Sequence, residues 1–155
     1  MKLRIISVGH KMPEWVVQAC QEYIKRMPRE MQIEIVEIKP DKRAAGKSAQ
    51  SVPQAEAKRI LELCGQDYII ALDERGKQLN TQELAQHMQD WQRLGKNIAL
   101  IIGGADGLDV SVKQAAQWLW SLSKLTLPHG MVRTVLCEQL YRAHTVIQQH
   151  PYHRE

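Results

Sequence analysis

An apolar segment, Asn97–Ile102, constrains the fold of this chain more than any other feature. It shows no alternation of polar and apolar side chains, which is typical of a strand in the middle of a parallel sheet with helices on both faces. A paired glycine, Gly103-Gly104, follows at once, and Asp109 is placed to cap a helix. Ligands of open α/β sheets bind at strand-to-helix turns of this kind. The segment therefore predicts both a central strand and a candidate ligand site.

The rest of the chain alternates strand and helix patterns, which predicts an α/β fold with a parallel sheet in a single domain, residues 1–155. The other predicted strands are Leu3–Val8, Ile33–Ile38, Tyr68–Leu72 and a short strand or extended turn over Ser121–Leu127. Helices are predicted from Pro13 through Met27, over Gln54–Cys64, from the Asn80 cap through Trp91, from the Asp109 cap through Leu119, and from His129 or Gly130 to Gln149. The segment Lys39–Pro53 is rich in Pro, Gly, Ser and basic residues and predicts a long loop.

Composition excludes several classes of protein. The apolar runs are all far shorter than the roughly 20 residues that span a bilayer, and the amino terminus lacks a signal-peptide cleavage site, so we expect a cytosolic protein. The three cysteines are far apart and predict reduced packing residues, and no His or Cys spacing indicates a metal site. The net charge of +4 permits a polyanionic partner without requiring one.

Two turns could form one ligand pocket. Gly103-Gly104 departs from both the dinucleotide fingerprint and the P-loop pattern, so it is either a plain strand-to-helix turn or a close approach of backbone to ligand. The segment Leu122–Leu127 mixes leucines with Ser123, Lys124 and Thr126. It is either a buried strand or a loop whose backbone groups hold an adenine edge while its leucines cover the ring.

The carboxyl terminus carries a second set of chemically active side chains. Arg142 lies late in the last predicted helix and either complements the helix dipole or contacts substrate. Tyr152, His153 and Arg154 have no apolar pattern to serve, and they form either a frayed end or a functional tail. Since Trp118 and Trp120 cannot share one face of a helix, at least one of them is predicted to contact a partner chain or line a groove.

Several motifs resemble the SPOUT methyltransferase family, and in particular its members that modify a pseudouridine in bacterial large-subunit ribosomal RNA. The resemblance covers the whole chain and rests on IIGGADGL, LSKLTLPHGMVR, EQLYRA, the terminal HPYHRE, SVGHKMPEWV and LDERGK. It implies an α/β parallel-sheet SPOUT fold with a deep C-terminal trefoil knot, and a homodimer in which each active site borrows groups from the second chain. It also implies S-adenosylmethionine as methyl donor and N3 of the pseudouridine as acceptor.

The resemblance assigns roles to residues of this chain. The cofactor site is expected at Leu72, Gly103, Gly104, Leu122, Ser123, Lys124, Leu125, Thr126 and Leu127, and the catalytic, substrate-facing group at Arg142, Tyr152, His153 and Arg154. N3 must lose its proton before methylation, so His153 is a candidate base, while Arg142 or Arg154 could stabilise the anion or bind phosphate. Deletion of the last four residues is expected to remove methylation but to leave the fold and donor binding intact.

Two other functions remain open from the residues. One is a SPOUT methyltransferase acting on another RNA such as tRNA. The other is a non-catalytic RNA-binding or ribosome-assembly protein whose pocket is vestigial.

Overall fold

Five parallel strands form one sheet in the computed structural model, which describes residues 1–9, 11–39, 51–104 and 107–154, with the backbone alone at 51–53. The strands are β1 (Lys2–Val8), β2 (Gln32–Ile38), β3 (Tyr68–Gln78), β4 (Ile98–Ile102) and β5 (Trp118–Ser121). Their order across the sheet is β2-β1-β4-β3-β5. Because all pairings are parallel, the carboxyl ends of the strands meet at one edge of the sheet.

Helices cover both faces of this sheet, as the alternating pattern predicted. They are α1 (Glu14–Ile24), α2 (Ser51–Cys64), α3 (Thr81–Leu94), α4 (Val110–Ala115) and α5 (His129–Ile147), followed by a 3-10 helix, Pro151–Arg154. One hydrophobic cluster includes residues of α1, α3 and α5, and a second, on the other face, includes residues of α2 and α4. The three cysteines are buried in these clusters, which confirms their prediction as packing residues.

The central position predicted for the Asn97–Ile102 segment is confirmed. Strand β4 lies third of five, and all of its side chains are buried. Its odd and even positions face different clusters, since Leu100 packs with α1 and α5 while Ile101 packs with α2 and α4. A strand in contact with helices on both faces has no polar side to show, which explains the missing alternation.

Helix ends follow their sequence signals closely. The Asn80 side chain accepts a hydrogen bond from the Glu83 amide, and the Glu83 side chain accepts one from the Asn80 amide, which completes a capping box. Gly95 ends the same helix at φ 69°, where residues with a Cβ are disfavoured. Asp109 caps α4 through the Ser111 amide. Caps of this kind contribute about 1 kcal/mol each.

The prediction of one helix from Asp109 through Leu119 is wrong at its carboxyl end. Helix α4 stops at Ala115, and Trp118 and Trp120 lie on β5. Side chains two apart on a strand point to the same face, and the two indole rings lie 6.3 Å apart against the same core. The prediction assumed a helix that the two residues do not share, but its groove alternative is confirmed for Trp120, which lines a cavity at the carboxyl edge of the sheet.

Other boundaries differ by a few residues. Helix α2 begins at Ser51, so the end of the predicted Lys39–Pro53 loop is helical, while residues 40–50 lie outside the described residues. Strand β3 continues to Gln78, beyond its predicted end at Leu72. Among the described residues, no helix is long and apolar enough to cross a membrane.

Candidate active site

A cavity of about 410 Å³ opens at the carboxyl edge of the sheet. Three strand-to-helix or strand-to-loop segments line it, one each after the buried parts of β3, β4 and β5. The lining includes Leu72, Asp73, Glu74, Arg75, Gly103, Gly104, Leu108, Lys113, Leu122, Ser123, Leu125, Thr126, Leu127 and Val132. We call this cavity the carboxyl-edge pocket. Its position is the usual one for ligand sites in parallel α/β sheets.

The Gly103-Gly104 turn closes tightly on itself. The Gly107 amide donates to the Gly104 carbonyl at 3.0 Å, and Gly107 has φ 75°. A Cβ at Gly103 would lie 2.9 Å from the Gly107 carbonyl carbon and from Leu108 Cγ, which is too close. A Cβ at Gly104 would lie 3.2 Å from Val8 Cγ1 of β1. Both glycines therefore allow the turn to pack against protein, which favours the first of the two alternatives, a plain strand-to-helix turn.

The segment after β5 is a loop, which decides between the two interpretations of Leu122–Leu127. The Ser121 hydroxyl donates to the Ser123 carbonyl at 3.0 Å, and the Leu125 amide donates to the Ser123 hydroxyl at 2.9 Å. These bonds hold the loop without a partner strand. Leu125 remains 76 % exposed at the mouth of the pocket, and Lys124 does not line it.

A bulge in β3 supplies the third side of the pocket. Leu72 and Lys77 are both registered opposite Trp120, so residues 73–76 are displaced from the ladder. Gly76 permits this, because a Cβ there would lie 2.6 Å from the backbone of Leu119 and Trp120. The displaced residues Asp73, Glu74 and Arg75 face the cavity.

Asp73 is an ionised carboxylate at the pocket. Burial opposes its ionisation, but the hydrogen bond from Lys113 at 2.8 Å, the Arg75 amide and the charges of Lys113 and Arg75 outweigh it and lower the pKa of Asp73. The pocket lining therefore carries charges of both signs, because Glu74 and Arg75 lie there beside the Asp73–Lys113 ion pair.

The carboxyl-terminal tail is anchored by aromatic packing. Tyr152 lies 4.7 Å from Tyr141 and 6.4 Å from Tyr23 between ring centroids, and the Arg142 guanidinium lies 5.0 Å from the Tyr152 ring. Burial and a hydrogen bond with Tyr23 raise the pKa of Tyr152, so its phenol stays protonated at neutral pH. We call Tyr23, Tyr141, Tyr152 and Arg142 the tail cluster. The alternative of a frayed end is therefore wrong at Tyr152.

The polar partners of the tail cluster are also defined. Arg142 Nε donates to both oxygens of Glu138, at 2.8 and 3.2 Å, and its Nη1 donates to the His153 carbonyl at 3.5 Å. Arg142 thus holds the backbone of the tail, in addition to any role at the helix dipole. His153 Nδ1 is buried without a hydrogen-bond partner among the described residues.

The tail cluster and the carboxyl-edge pocket lie at opposite edges of the sheet within one chain. Val132 of α5 lines the pocket, while Arg142 is ten residues further along, a distance of about 15 Å at the helical rise. Burial lowers the pKa of His144, and the nearby charge of Glu30 opposes that shift. Glu30 lies just before the amino end of β2, so the late part of α5 lies at that end of the sheet. A single chain therefore does not bring Tyr152, His153 and Arg154 to the pocket.

Comparisons with known proteins identify the family. A family model described as "Predicted SPOUT methyltransferase" matches residues 1–153. The chain belongs to the SPOUT methyltransferase family. It is 66 % identical to "Ribosomal RNA large subunit methyltransferase H" of Methylobacillus flagellatus, over 100 % of both chains, and 55 % identical to the protein of that name in Ralstonia nicotianae, over 99 % of both. A solved structure of a probable methylase family protein from Haemophilus influenzae Rd KW20 matches with a TM-score of 0.58, over 97 % of this chain and 69 % of that one. At 13 % sequence identity, this match shows a likeness of fold alone.

Most of the cofactor residues expected of this SPOUT chain lie together. Leu72, Gly103, Gly104, Leu122, Ser123, Leu125, Thr126 and Leu127 all line the carboxyl-edge pocket, and Lys124 is the exception. Sequence reasoning missed the Asp73–Lys113 ion pair. The sequence did contain a signal for Asp73 as a site residue, because the polar turn after Leu72 follows a buried strand just as Gly103 does.

Proposed function

We propose that this chain transfers a methyl group from S-adenosylmethionine to N3 of a pseudouridine in large-subunit ribosomal RNA. The observation that carries the proposal is the full-length match, at 66 % identity, to a protein named as a large-subunit ribosomal RNA methyltransferase. The acceptor position follows from the resemblance of the pocket and tail motifs to the pseudouridine-modifying members of the family. We propose that residues 1–155 act as one methyltransferase domain in the cytoplasm.

The carboxyl-edge pocket has the chemistry that S-adenosylmethionine requires. Its volume of about 410 Å³ lies within the usual range for small-molecule sites, and its leucines can cover a purine ring. Two carboxylates, Asp73 and Glu74, lie in the lining beside two cations, Arg75 and Lys113, so the pocket offers charges of both signs to a ligand that itself carries both. When bound, this cofactor supplies a methyl group on an electrophilic sulfonium. We propose that Leu72, the Gly103-Gly104 turn and the Leu122–Leu127 loop hold it.

The protein must place the acceptor base and remove the N3 proton. Tyr152 is unsuited to be the base because its pKa is raised, and it serves instead to anchor the tail. We propose that His153 takes the proton and that Arg154, with Arg142, stabilises the anionic base or binds phosphate. Arg142 also positions His153 through the bond to its carbonyl.

A complete site needs two chains, because pocket and tail lie at opposite edges of one. We propose a homodimer in which the tail of one copy lies at the pocket of the other. Exposed apolar side chains near the pocket support an interface there: Leu125 at its mouth is 76 % exposed, and Trp15, which lies beside Gly130 at the start of α5, is 53 % exposed. The deep trefoil knot is proposed with this fold because the family model of the SPOUT methyltransferases matches residues 1–153.

The deciding experiment uses ribosomes from a strain that lacks the gene for this chain. The purified protein and isotopically labelled S-adenosylmethionine are added, and the label is mapped by mass spectrometry of RNA fragments. We expect one labelled pseudouridine in large-subunit RNA. Label in tRNA alone would favour the other methyltransferase function. Absence of donor binding by calorimetry, with no label in any RNA, would favour an assembly protein whose pocket is vestigial.

Binding to the ribosome is expected to depend on salt, since several basic side chains would contact phosphate. Each phosphate contact contributes about 0.9 to the slope of log affinity against log salt for a duplex, and less for single strands. Donor binding involves no phosphate and should change little. An affinity for ribosomes that is independent of salt would contradict a phosphate-driven surface.

A further inference from the structure

A row of hydrogen-bonded side chains runs from the start of α3 to the carboxyl-terminal tail. The hydroxyl of Thr81, the first residue of α3, donates to Gln139 Oε1 of α5 at 2.8 Å. Gln139 Nε2 donates to Glu138 Oε1 at 3.0 Å. Arg142 completes the row, because its Nε donates to Glu138 and its Nη1 donates to the His153 carbonyl. The row therefore links the capped end of α3 to the segment that we propose faces the substrate.

Donors and acceptors along the row fit together in one way only. A carboxylate only accepts hydrogen bonds and a guanidinium only donates them. The Gln139 amide must therefore turn its nitrogen to the Glu138 carboxylate, which leaves its oxygen for the Thr81 hydroxyl. A reversed amide would set two oxygens against each other. The contact with α3 thus fixes the orientation of Gln139, and Gln139 in turn holds one oxygen of Glu138.

The Glu138–Arg142 pair differs from an ordinary ion pair between residues four apart on a helix. Glu22 and Arg26 of α1 have the same spacing, and their side chains are 42 % and 40 % exposed. The side chains of Glu138 and Arg142 are only 19 % and 20 % exposed. Burial removes water from both charges, while exposed pairs already provide what little stability this spacing gives a helix. The reason for the buried pair therefore lies in what Arg142 contacts.

The Arg142 guanidinium is planar, so its bond to Glu138 also sets the direction of its other groups. Nη1 lies 3.5 Å from the His153 carbonyl oxygen, and the centre of the guanidinium lies 5.0 Å from the Tyr152 ring. A bond of this length is weak and is lost on a small rotation. Release of Arg142 from Glu138 would therefore loosen both contacts with the tail.

We propose that Glu138 is a positioning residue for the tail, which it holds in place by fixing the plane of the Arg142 guanidinium. Gln139, oriented by Thr81, keeps the carboxylate in the orientation that this requires. The inference rests on the proposed function, because it takes the tail as the group that acts on the acceptor base. It gives a role to Glu138 and Gln139, the first two residues of the EQLYRA motif.

The kinetic test compares Glu138→Ala with Glu138→Gln. Alanine removes every acceptor for Arg142, whereas glutamine keeps the shape of the side chain and one oxygen acceptor. We expect alanine to lower kcat for ribosome methylation roughly 10- to 100-fold, since a displacement of about 1 Å has effects of that size, and glutamine to restore most of it. Donor affinity in calorimetry should stay near native for both variants, because Glu138 does not line the carboxyl-edge pocket. A merely structural role would lower both quantities together.

Hydrogen exchange tests the position of the tail without any measurement of activity. The His150 amide donates to the Thr145 carbonyl at 2.9 Å, and the Tyr152 amide donates to His150 Nδ1 at 3.1 Å. These amides should lose protection when the tail is released. We expect exchange in the carboxyl-terminal peptide of Glu138→Ala to be roughly tenfold faster, with exchange in the strands unchanged. Mass spectrometry of peptides measures this, and thermal unfolding shows whether each variant is folded.

Glu22→Ala is the matched control. It also removes the carboxylate of a pair four residues apart, and the partner Arg26 also lies over aromatic rings, those of Tyr23 and Tyr141. Among the described residues, however, Arg26 makes no hydrogen bond to the tail backbone. We expect native kcat and native exchange of the tail in this variant.

The outcomes are distinct. Native kcat and native tail exchange in a folded Glu138→Ala variant would overturn the inference, and so would equal losses in Glu22→Ala or the absence of any rescue in Glu138→Gln. If Glu138→Ala does not fold, Gln139→Leu takes its place, and a native rate and native exchange there would contradict the row. If the native protein methylates no RNA, the proposed function fails, while the exchange comparison still decides whether Glu138 holds the tail.

Discussion

The carboxyl-edge pocket and the tail cluster use the same chain in different ways. The pocket is made of backbone turns that follow β3, β4 and β5, and its shape depends on glycines at 76 and 103. The tail cluster is made of long side chains, with aromatic rings and guanidinium groups in contact at the end of α5. One region is shaped by strand register and the other by side-chain packing.

Because of this difference, amino-acid substitutions in the two regions should affect different properties of the protein. A turn that is packed on itself tolerates almost no added atoms, so substitutions in the pocket should act on donor binding. The tail is held by one aromatic anchor, Tyr152, so substitution of Tyr152 should mainly lower the stability of the protein. Substitution of His153 or Arg154 should mainly lower the rate of methylation. Because the two regions lie at opposite edges of one chain, the proposed site needs a second copy.

The largest expected effect tests whether pocket and tail act across two copies. Gly103→Val should disable the pocket, and the double variant His153→Ala/Arg154→Ala should disable the tail, each lowering methylation roughly 10²- to 10⁴-fold. Differently tagged copies of the two are co-expressed and the mixed dimer is purified. That dimer joins one intact pocket to one intact tail, so about half of native activity should return.

The control is each variant alone at the same concentration, with light scattering to confirm a dimer. If the mixed dimer is as inactive as its parents, pocket and tail act within one chain and the two-chain site is wrong.

A smaller effect distinguishes the two glycines of the pocket turn. Gly103→Ala should weaken donor binding on the order of tenfold and cost about 1–3 kcal/mol of stability, because its Cβ meets backbone at 2.9 Å. Gly104→Ala is the matched control, since its nearest contact is a side chain, that of Val8 at 3.2 Å, and not backbone at 2.9 Å. Calorimetry and denaturant unfolding measure both. Equal losses for the two variants would contradict this account of the turn.

The aromatic anchor should be visible in stability. Tyr152→Ala should lower the free energy of unfolding by about 1–3 kcal/mol, because it removes contacts with two rings and one guanidinium. His153→Ala and Arg154→Ala should each change it by less than about 0.5 kcal/mol. Removal of the last four residues is therefore expected to cost stability as well as methylation, contrary to the expectation from the sequence. A Tyr152→Ala variant as stable as the native protein would count against the anchor.

The smallest effect is a dependence of stability on pH. Burial lowers the pKa of His87, His129 and His144 in the folded protein. The unfolded chain therefore binds more protons below its histidine pKa of about 6.5, so stability should be complete above that pH and fall as the pH drops toward the lowered values. Calorimetric unfolding between pH 7 and 5 measures this. His129→Gln should reduce the slope, and an unchanged melting temperature across the range would refute the prediction.

Sequence patterns predicted the features that depend on local signals. The apolar run of β4, the Asn80–Glu83 capping box and the two turns at Gly103 and Leu122 all follow from short-range chemistry. The bulge after Leu72 was missed, because its cause is the approach of Gly76 to β5, a residue pair distant in sequence.

The early end of α4 was missed for the same kind of reason. The Gln117 amide donates to the Ile69 carbonyl at 2.8 Å, and the Ile69 amide donates to Gln117 Oε1 at 2.6 Å. These bonds to β3 draw the chain into a strand where local pattern favours a helix. The location of the tail could not be predicted either, since it depends on Tyr23 of a distant helix.

The bulge in β3 has a consequence for how this protein can vary. Leu72 and Lys77 share Trp120 as their partner, so residues 73–76 are tethered at both ends. The arc that carries Asp73 is therefore preorganised and need not be ordered when a ligand arrives. Removing a single residue from it would leave too little chain to return to the ladder, or would shift Lys77 and Gln78 by one position and turn both side chains to the opposite face. We therefore expect relatives to keep the length of this arc and a glycine at position 76, and to vary mainly at Glu74 and Arg75.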